Sequence, residues 1–403
     1  MRILVLSTWF PYPPTNGSEL RAYYLLRGLS ERHEVTALAF RWDDRGEQGS
    51  LPPLAGVALR PVRANPFHLV GLPTLIKFAA PIPLALWPVA AMRAALHAAD
   101  VAGVAWDAVV GLCEPVLRYL SAPTATARVF DIDTSLSYQA LERYQGSRGT
   151  LGRWRTWASW HKARWAEAHL LRPVDLCTAV AAHELPYLRD VAPRWCHVQL
   201  APNGVDCERN RPGLAAHSPA GLVYNGALTY AANYDAMRYF LGDIYPLVRR
   251  DAPAATVSIT GRTAGVDLAG LALDETVRLT GYVDDIRPIV AGSAVCVVPL
   301  RQGGGTRLKI LEAMALGTPV VSTTKGAEGL DVIPGEHLLI ADDPRAFAQA
   351  TVRLLTDAAL RAQLAAAARE WVDRRHDWNV IAAEFAHLVE DTVIRKQRAL
   401  SHG

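Results

Sequence analysis

The sequence has few cysteines, little net charge and no long apolar run, and each shortage excludes a class of protein. The five cysteines are an odd number, lie far apart and include no Cys-x-x-Cys pair, so we expect neither a disulfide framework nor a zinc site. The formal net charge of +3 gives no general attraction to nucleic acid. A reducing compartment, the cytoplasm, suits this composition best.

The apolar segments argue against membrane insertion. The most apolar stretch, Phe78 to Met92, is interrupted by three prolines and is shorter than the roughly 20 helical residues that span a bilayer. Met1-Arg2 runs directly into a strand-like segment without the pattern of a signal peptide. We therefore expect neither a transmembrane helix nor a secretory leader.

Two common nucleotide-binding signatures are also missing. No Gly-x-Gly-x-x-Gly follows the first apolar segment, which disfavours a dinucleotide oxidoreductase. The chain contains no Gly-Lys pair, which disfavours a P-loop kinase. A nucleotide site in this chain must use another arrangement.

The pattern of apolar segments predicts two α/β domains. At 403 residues the chain exceeds what one hydrophobic core usually supports, and strand-like segments alternate with helical ones in both halves. The strands predicted in the first half are Arg2 to Thr8, Val35 to Phe40, Ala108 to Leu112, Ala127 to Ile132, Leu176 to Val180 and His197 to Leu200. Those in the second half are Leu222 to Asn225, Thr256 to Thr260, Val277 to Thr280, Val295 to Pro299 and Pro319 to Ser322. Helices are predicted over Glu19 to Arg32 and His376 to Ile394, and the stretch Pro212 to Pro219 reads as a linker.

The segment from Gly303 to Ser322 is the most informative part of the sequence. Three glycines, Gly303 to Gly305, let backbone amides approach an anion, and the helix behind them directs its positive end at the same point. Arg307 and Lys309 add cations on opposite sides of the first helical turn, and we favour Lys309 as the one that faces a diphosphate. Glu312 shares a helix face with Lys309, where its carboxylate can accept both hydroxyls of a ribose.

Several segments together resemble group 1 (family 4) glycosyltransferases, a GT-B family of retaining enzymes. The segments that carry the resemblance are Met1 to Ser7, Gly17-Ser18-Glu19, His33 to Thr36, Pro202 to Asp206, Tyr224 to Leu228, Gly281-Tyr282-Val283 and the Glu312 segment. The resemblance implies two Rossmann-like domains with a central cleft and a C-terminal helix that crosses back to the first domain. We place the acceptor-binding domain at 1–210, the nucleotide-sugar-binding domain at 220–375 and the returning helix at 376–403.

The resemblance also implies a set of site residues without a metal or other cofactor. The residues expected to bind the donor are Gly17, Arg262, Gly281, Tyr282, Val283, Gly303, Gly304, Gly305, Thr306, Arg307, Leu308, Lys309 and Glu312. Those expected to act in catalysis are Asp131, Asp133 and Lys309. The chain departs from the family at two points, because Gly304 stands where a second Glu is common and the segment Gly226 to Asn233 lacks the usual Arg and Lys.

Two features of the first half have competing interpretations. Asp131-Ile132-Asp133 follows a predicted strand and matches an Asp-x-Asp metal motif, but the two-Rossmann layout argues against a metal site. The family resemblance implies instead that Asp131 or Asp133 lies near the reacting sugar. We interpret His183 as an ordinary residue at a helix start rather than a base.

The segment Arg143 to Arg172 interleaves four tryptophans with seven basic residues. Core packing of the indoles is the favoured interpretation, a membrane-surface helix is the alternative, and single-stranded nucleic acid has no other support.

The sequence thus predicts a hexosyltransferase-type enzyme that moves a sugar from a nucleotide-diphosphate sugar to an acceptor hydroxyl. The expected setting is polysaccharide, glycolipid or other glycoconjugate synthesis, in the cytoplasm or at the inner face of an anionic membrane, with a glycan or a lipid-linked acceptor. A nucleotide-sugar epimerase on the same fold and a catalytically silent binding subunit are the alternatives.

Overall fold

The computed structural model describes residues 1–14, 16–42, 51–100, 104–303 and 307–401, with the backbone alone for residues 74, 75, 78, 99 and 100. The chain divides into two compact units. Unit 1 comprises Met1–Pro202 with Ile381–Gly403, and unit 2 comprises Asn203–Val380. Each unit is an α/β layer structure built on its own parallel sheet.

The sheet of unit 1 has seven parallel strands in the order β3-β2-β1-β4-β5-β6-β7. The strands are β1 Arg2–Ser7, β2 Glu34–Arg41, β3 Val57–Arg63, β4 Trp106–Leu112, β5 Ala125–Ile132, β6 Leu176–Ala179 and β7 His197–Leu200. The six strands predicted from the sequence are confirmed. The sequence missed the edge strand β3, because only Val62 in it is buried and Pro61 breaks the apolar run.

The sheet of unit 2 has six parallel strands in the order β10-β9-β8-β11-β12-β13. The strands are β8 Ser218–Asn225, β9 Thr256–Thr260, β10 Val277–Gly281, β11 Ser293–Val298, β12 Val320–Ser322 and β13 Leu339–Ile340. The five predicted strands are confirmed, and the two-residue β13 was too short to predict. The linker prediction is wrong at its end, since Pro219 lies within β8. Unit 2 already begins at Asn203, where the Val205 amide donates to the His376 carbonyl over 2.8 Å.

Thirteen α-helices are present in the described residues, apart from short 3₁₀ and π turns. They are α1 Gly17–Ser30, α2 Thr74–Ala79, α3 Ala90–Asp100, α4 Leu136–Gln145, α5 Thr150–Leu170, α6 Leu185–Val191, α7 Ala231–Tyr239, α8 Tyr245–Asp251, α9 Arg287–Ala291, α10 Leu308–Ala315, α11 Pro344–Thr356, α12 Ala358–Arg375 and α13 Trp378–Ser401. Helix α1 begins two positions before the predicted Glu19, because Asn16 caps it by accepting the Glu19 amide over 3.0 Å. None of the described helices combines the length and apolar character that crossing a bilayer requires.

The last helix packs into the core of unit 1. Its apolar face carries Phe385, Ala386, Val389 and Val393, which are buried in the same cluster as β1 and α1 side chains. Trp378 and Ile381 are also buried, whereas Leu388 is half-buried at the edge of the cluster. In each unit the parallel strands end at one edge of the sheet, the edge at which ligands bind in this architecture.

Candidate functional site

Arg307, at the start of α10, is hydrogen-bonded to Gly303 in the described part of the loop after β11. Gly303 has a φ of 102°, a conformation that favours glycine. Arg307, at the N-cap position of α10, is buried, and its Nη2 donates to the Gly303 carbonyl over 2.6 Å. Leu308, the first residue of α10, is half-buried. Gly304, Gly305 and Thr306 lie outside the described residues.

Lys309 reaches from α10 to the turn between β8 and α7. Its Nζ donates to Tyr224 Oη over 2.9 Å and to Asn233 Oδ1 over 3.0 Å, and lies 4.1 Å from the Tyr224 ring centroid. Tyr224 Oη in turn donates to Asn233 Oδ1 over 2.7 Å. A Cβ at Gly226 would stand 2.7 Å from Nζ, so the glycine leaves the ammonium group its place. The Lys309 side chain therefore lies against the Gly226 to Asn233 segment, which contains no Arg or Lys of its own.

Glu312 is held on the same side of α10 by the ends of two strands. Asn225 Nδ2, at the end of β8, donates to Glu312 Oε2 over 2.7 Å. Thr260 Oγ1, at the end of β9, donates to Asn225 Oδ1 over 3.3 Å, because the two residues are partners in the strand register. This relay fixes one carboxylate oxygen of Glu312.

Burial shifts the pKa values of both α10 groups toward neutrality. It lowers the pKa of Lys309 to about 7, and the nearby Arg307 charge acts in the same direction. It raises the pKa of Glu312 to about 7, against the opposing effects of the Asn225 hydrogen bond and the Lys309 charge. An ammonium group destabilised in this way gains more from an incoming anion than a solvated one does, so the site is suited to a phosphate ligand.

The ends of β9 and β10 bring together a second group of predicted residues. The Arg262 guanidinium carbon lies 5.4 Å from the Tyr282 ring centroid, and Tyr282 is 63% exposed. Gly281 has a φ of 68°, and Val283 beyond it is half-buried. The Leu228 amide donates to the Arg262 carbonyl over 3.0 Å, which ties this group to the β8–α7 turn. An exposed aromatic ring beside a guanidinium offers a flat surface for a nucleotide base.

In unit 1 the two predicted aspartates have different surroundings. Asp131 is buried, and its carboxylate accepts from Arg21 Nε over 2.7 Å, Arg21 Nη2 over 2.6 Å and Thr178 Oγ1 over 2.6 Å. Arg21 also donates to the Ala201 and Pro202 carbonyls. This network joins α1, β5, β6 and the chain beyond β7, and it engages both carboxylate oxygens of Asp131. Within the described chain no three His, Cys, Asp or Glu side chains form a group that could hold a metal ion.

Asp133 lies beside the start of α1. Ser18 Oγ donates to Asp133 Oδ2, which brings this carboxylate to the helix turn that begins with Gly17. Burial raises the pKa of Asp133 above its ordinary value. The structure thus brings Gly17 and Asp133 together, and it leaves Asp133 as the aspartate suited to contact a ligand.

Two glutamates accompany Asp133 that sequence reasoning missed. Glu114 Oε1 accepts the Thr134 amide over 3.1 Å, and burial together with the Asp133 charge raises the Glu114 pKa to about 8. Glu184 Oε2 accepts the Ser135 amide over 2.9 Å, and burial raises its pKa to about 7. Glu114 begins the 3₁₀ turn that follows β4, and Glu184 ends the 3₁₀ turn that follows β6. A position shortly after a predicted strand was the available signal for both. His183 packs its ring 5.2 Å from that of Tyr138.

Sequence reasoning also missed the polar partners in unit 2. Asn225 and Thr260 are the last residues of predicted strands, and polar side chains at strand ends are candidates for a ligand site in this architecture. Tyr224 and Asn233 had no comparable signal, since their contact with Lys309 depends on the packing of α10 beside β8.

The tryptophans of α5 are not core residues. Trp154, Trp157 and Trp165 are 57%, 43% and 58% exposed, and Trp160 is half-buried. The favoured prediction of core packing is therefore wrong for three of the four. Small side chains and a carboxylate, rather than indoles, form the buried face of α5: Ala163, Ala166 and Glu167.

Comparisons with known proteins agree with this architecture. Residues 219–357 match the family model described as glycosyl transferases group 1. The phosphatidyl-myo-inositol mannosyltransferase of Mycobacterium leprae (strain TN) is 32% identical over 218 residues, 50% of this chain and 57% of the relative. The chain thus spans about half the length of the curated relatives it matches.

Two solved structures match nearly the whole chain. Sucrose-phosphate synthase (tll1590) from Thermosynechococcus elongatus superposes with a TM-score of 0.69 at 17% identity, covering 97% of this chain and 99% of that one. Anabaena Alr3699/HepE in complex with UDP-glucose superposes with a TM-score of 0.66 at 15% identity, covering 97% and 100%. At these identities the likeness concerns the fold.

Proposed function

We propose that the chain transfers a sugar from a nucleotide-diphosphate sugar to an acceptor hydroxyl, because residues 219–357 match the group 1 glycosyl transferase family model and the whole chain has a GT-B fold. One observation carries the proposal. Lys309 and Glu312, on one side of α10, contact polar side chains at the end of β8 and in α7. A cation and a carboxylate one helical turn apart match the diphosphate and the ribose of a sugar nucleotide.

Each part of the donor has a proposed partner in unit 2. Lys309 contacts the diphosphate, supported by the amides and the positive dipole end at the start of α10. Its Nζ lies against Gly226, so it supplies the cation that the Gly226 to Asn233 segment lacks. Glu312 accepts hydrogen bonds from the ribose hydroxyls. Arg262 and Tyr282 hold the base beside Gly281 and Val283.

The proposed reaction retains the anomeric configuration and needs no metal or other cofactor. The acceptor oxygen forms its bond to the anomeric carbon as the bond from that carbon to the β-phosphate oxygen breaks. The acceptor proton passes to the departing phosphate on the same face of the sugar. Charge develops on the diphosphate in this step, and Lys309 with the α10 dipole stabilises it. We assign Asp133 to hydrogen bonding with the reacting sugar or the acceptor.

The substrates follow from chemistry and from the relatives. A hexosyl donor suits both the mannosyltransferase relative and the neighbour solved with UDP-glucose. The acceptor we propose is a glycan or a lipid-linked hydroxyl compound in glycoconjugate or polysaccharide synthesis, on the cytoplasmic side. The M. leprae relative is named for a phosphatidyl-myo-inositol acceptor, which favours the lipid-linked class.

A ligand panel with product analysis tests this function. Ligands that bind only the folded state raise apparent stability, so UDP, GDP, ADP and TDP sugars are compared by thermal shift. The sugar nucleotide that stabilises the protein most is then incubated with and without candidate acceptors. Transfer or slow hydrolysis supports the proposal. Conversion of the donor sugar to its epimer without an acceptor identifies an epimerase, and binding without any turnover identifies a silent binding subunit.

A further inference from the structure

An exposed row of aromatic side chains, which we call the Trp stripe, lies along α5 of unit 1. Successive residues of a helix are about 100° apart, so Trp154, Trp157, His161 and Trp165 lie on one face. All four are exposed, and the Trp157 and His161 rings are 4.4 Å apart between centroids. Soluble proteins rarely leave several large rings together in water, so the stripe marks a surface that meets a partner.

Basic side chains lie on both sides of this Trp stripe. Arg153 and Arg164 lie on one side by helical spacing, and Arg155 and Lys162 lie on the other. Arg164 is paired with Asp190 over 2.7 Å, which lowers the net charge of its side. The helix carries a single acid, Glu167, which is on the buried face. The exposed surface of α5 is therefore aromatic in its centre and cationic at its margins.

Lys162 joins this surface to an exposed apolar segment. Its Nζ donates to the Lys77 carbonyl over 2.8 Å and to the Ala80 carbonyl over 3.0 Å, both at the C-terminal end of α2. The chain around α2 exposes large apolar side chains: Val70 at 41%, Ile76 at 48% and Trp87 at 37%. The cation thus holds the apolar segment next to the basic margin of α5.

We infer that the Trp stripe of α5, its basic margins and the apolar segment around α2 together form a docking surface for an anionic lipid bilayer. Indole rings prefer the membrane interface, where the ring is buried and the N–H stays hydrated. Arginines at the margins meet anionic headgroups, and each contributes measurably near a charged surface. A protein partner would need an apolar groove with acidic groups around it, whereas an anionic bilayer offers an apolar interior and acidic headgroups together.

The inference deepens the acceptor side of the proposed function, on which it rests for the lipid-linked class of acceptor. The docking itself needs no sugar nucleotide, because all the residues that form the surface lie in unit 1. A wild-type protein that binds the sugar nucleotide but does not bind anionic vesicles would therefore reject the docking surface and leave the proposed function standing.

Vesicle co-sedimentation of the full chain tests the inference. Vesicles of phosphatidylcholine alone are compared with phosphatidylcholine containing phosphatidylglycerol, at low and at high salt. We expect the protein to pellet at least about tenfold better with the anionic vesicles at low salt, and salt to remove most of the difference. Equal pelleting with both vesicles, or none with either, would overturn the proposal.

Matched variants locate the surface. Trp154→Gln with Trp157→Gln, and separately Arg153→Glu with Arg155→Glu, should each lower anionic vesicle binding about tenfold or more. The controls replace the same kinds of residue at exposed positions of unit 2. Leu273→Gln with Ile333→Gln removes two large apolar side chains, and Arg250→Glu with Arg374→Glu reverses two charges. Circular dichroism melting verifies the fold of each variant. If the unit 1 variants bind vesicles as the controls do, the surface belongs to another partner and the inference fails.

Discussion

Glu312 is the residue whose chemistry is most specific to the proposed donor. Its carboxylate accepts from Asn225, and the Glu312→Gln amide oxygen can still accept that bond, so the fold should persist. We expect nucleotide-sugar affinity to fall by about 1 to 3 kcal/mol at pH 8, because charged hydrogen bonds to the ribose become neutral ones. Isothermal titration calorimetry measures the loss.

The pH dependence of this effect provides an internal check. The pKa of Glu312 is raised to about 7, so near pH 6 the wild-type carboxyl is mostly protonated and resembles the amide. The difference between Glu312→Gln and the wild type should therefore shrink as the pH falls from 8 to 6. The control Glu370→Gln, in an exposed ion pair on α12, should bind as the wild type does. If the difference in affinity between Glu312→Gln and the wild type is as large at pH 6 as at pH 8, donor binding does not depend on the charge of the Glu312 carboxylate.

Lys309 should couple donor binding to proton uptake. Burial lowers its pKa to about 7, so at pH 8 the free protein holds mostly the neutral amine. A diphosphate favours the ammonium form and raises that pKa, so binding takes up a proton and affinity falls as the pH rises above 7. Titrations at pH 8 in buffers of different ionisation enthalpy measure the uptake. Lys309→Gln should abolish it, and uptake that survives this substitution would assign the proton to another group.

At the scale of elements, we propose that the β8–α7 turn contributes to donor binding because Gly226 has no side chain and leaves space for Lys309 Nζ. A Cβ in Gly226→Ala would stand 2.7 Å from Lys309 Nζ and 2.9 Å from Asn233 Nδ2, both ends of movable side chains. We expect the fold to remain and donor affinity to fall about tenfold, since the cation is displaced. Binding isotherms combined with thermal melts separate the two effects.

Gly261→Ala is the matched contrast at the end of β9. Gly261 has a φ of 103°, and an added Cβ would stand 2.6 Å from the Ala227 backbone nitrogen, which cannot move aside. This variant should lower the free energy of unfolding by about 1 to 3 kcal/mol. If Gly226→Ala destabilises the protein as strongly as Gly261→Ala does, the space at Gly226 serves folding and not the cation.

The elements also show what the sequence can and cannot predict. Buried parallel strands are continuous apolar runs, so β1 and β11 are predictable from the sequence, whereas the edge strand β3 buries only Val62 and contains a proline. Lys309 and Glu312 were assigned to one side of α10 from spacing alone. Their partners Tyr224 and Asn233 were not predicted, because contacts between α10 and the β8–α7 turn depend on tertiary packing.

The exposure of the α5 tryptophans also could not be predicted from the sequence. Their spacing fixes a common face but does not say whether that face is buried. Unit 1 packs α5 through small residues such as Ala163 and Ala166, which leaves the indoles in solvent.

At the scale of the whole molecule, the alternation of strands and helices predicted two Rossmann-like halves, and the structure has two parallel sheets. The predicted boundaries at 210 and 376 differ from the observed units, which change at Pro202 and at Ile381. The loop through Asp206 is polar and reads as a connection, yet hydrogen bonds to the end of α12 make it part of unit 2. Such long-range pairing leaves no local signal in the sequence.

We also expect the proposed sugar transfer to need no divalent metal. In the proposed site, Lys309 and the dipole of α10 place on the diphosphate the positive charge that a metal ion would otherwise supply. Activity measured after exhaustive EDTA treatment should remain within about twofold of the untreated enzyme. Activity that disappears and returns with manganese or magnesium would instead direct attention to Asp133 and the neighbouring Glu114 as ligands.

Calorimetric titration of a double variant tests the central claim most directly. Lys309→Gln with Glu312→Gln removes the two charged side chains of α10 that are proposed to contact the donor, and Arg374→Gln with Glu370→Gln removes an exposed ion pair of the same charges on α12. The wild type and the α12 variant should bind the same nucleotide-diphosphate sugar with equal affinity, and the α10 variant should bind it at least about a hundredfold more weakly. Equal binding by the α10 variant, or no binding of any such sugar nucleotide by the wild type, would contradict the account.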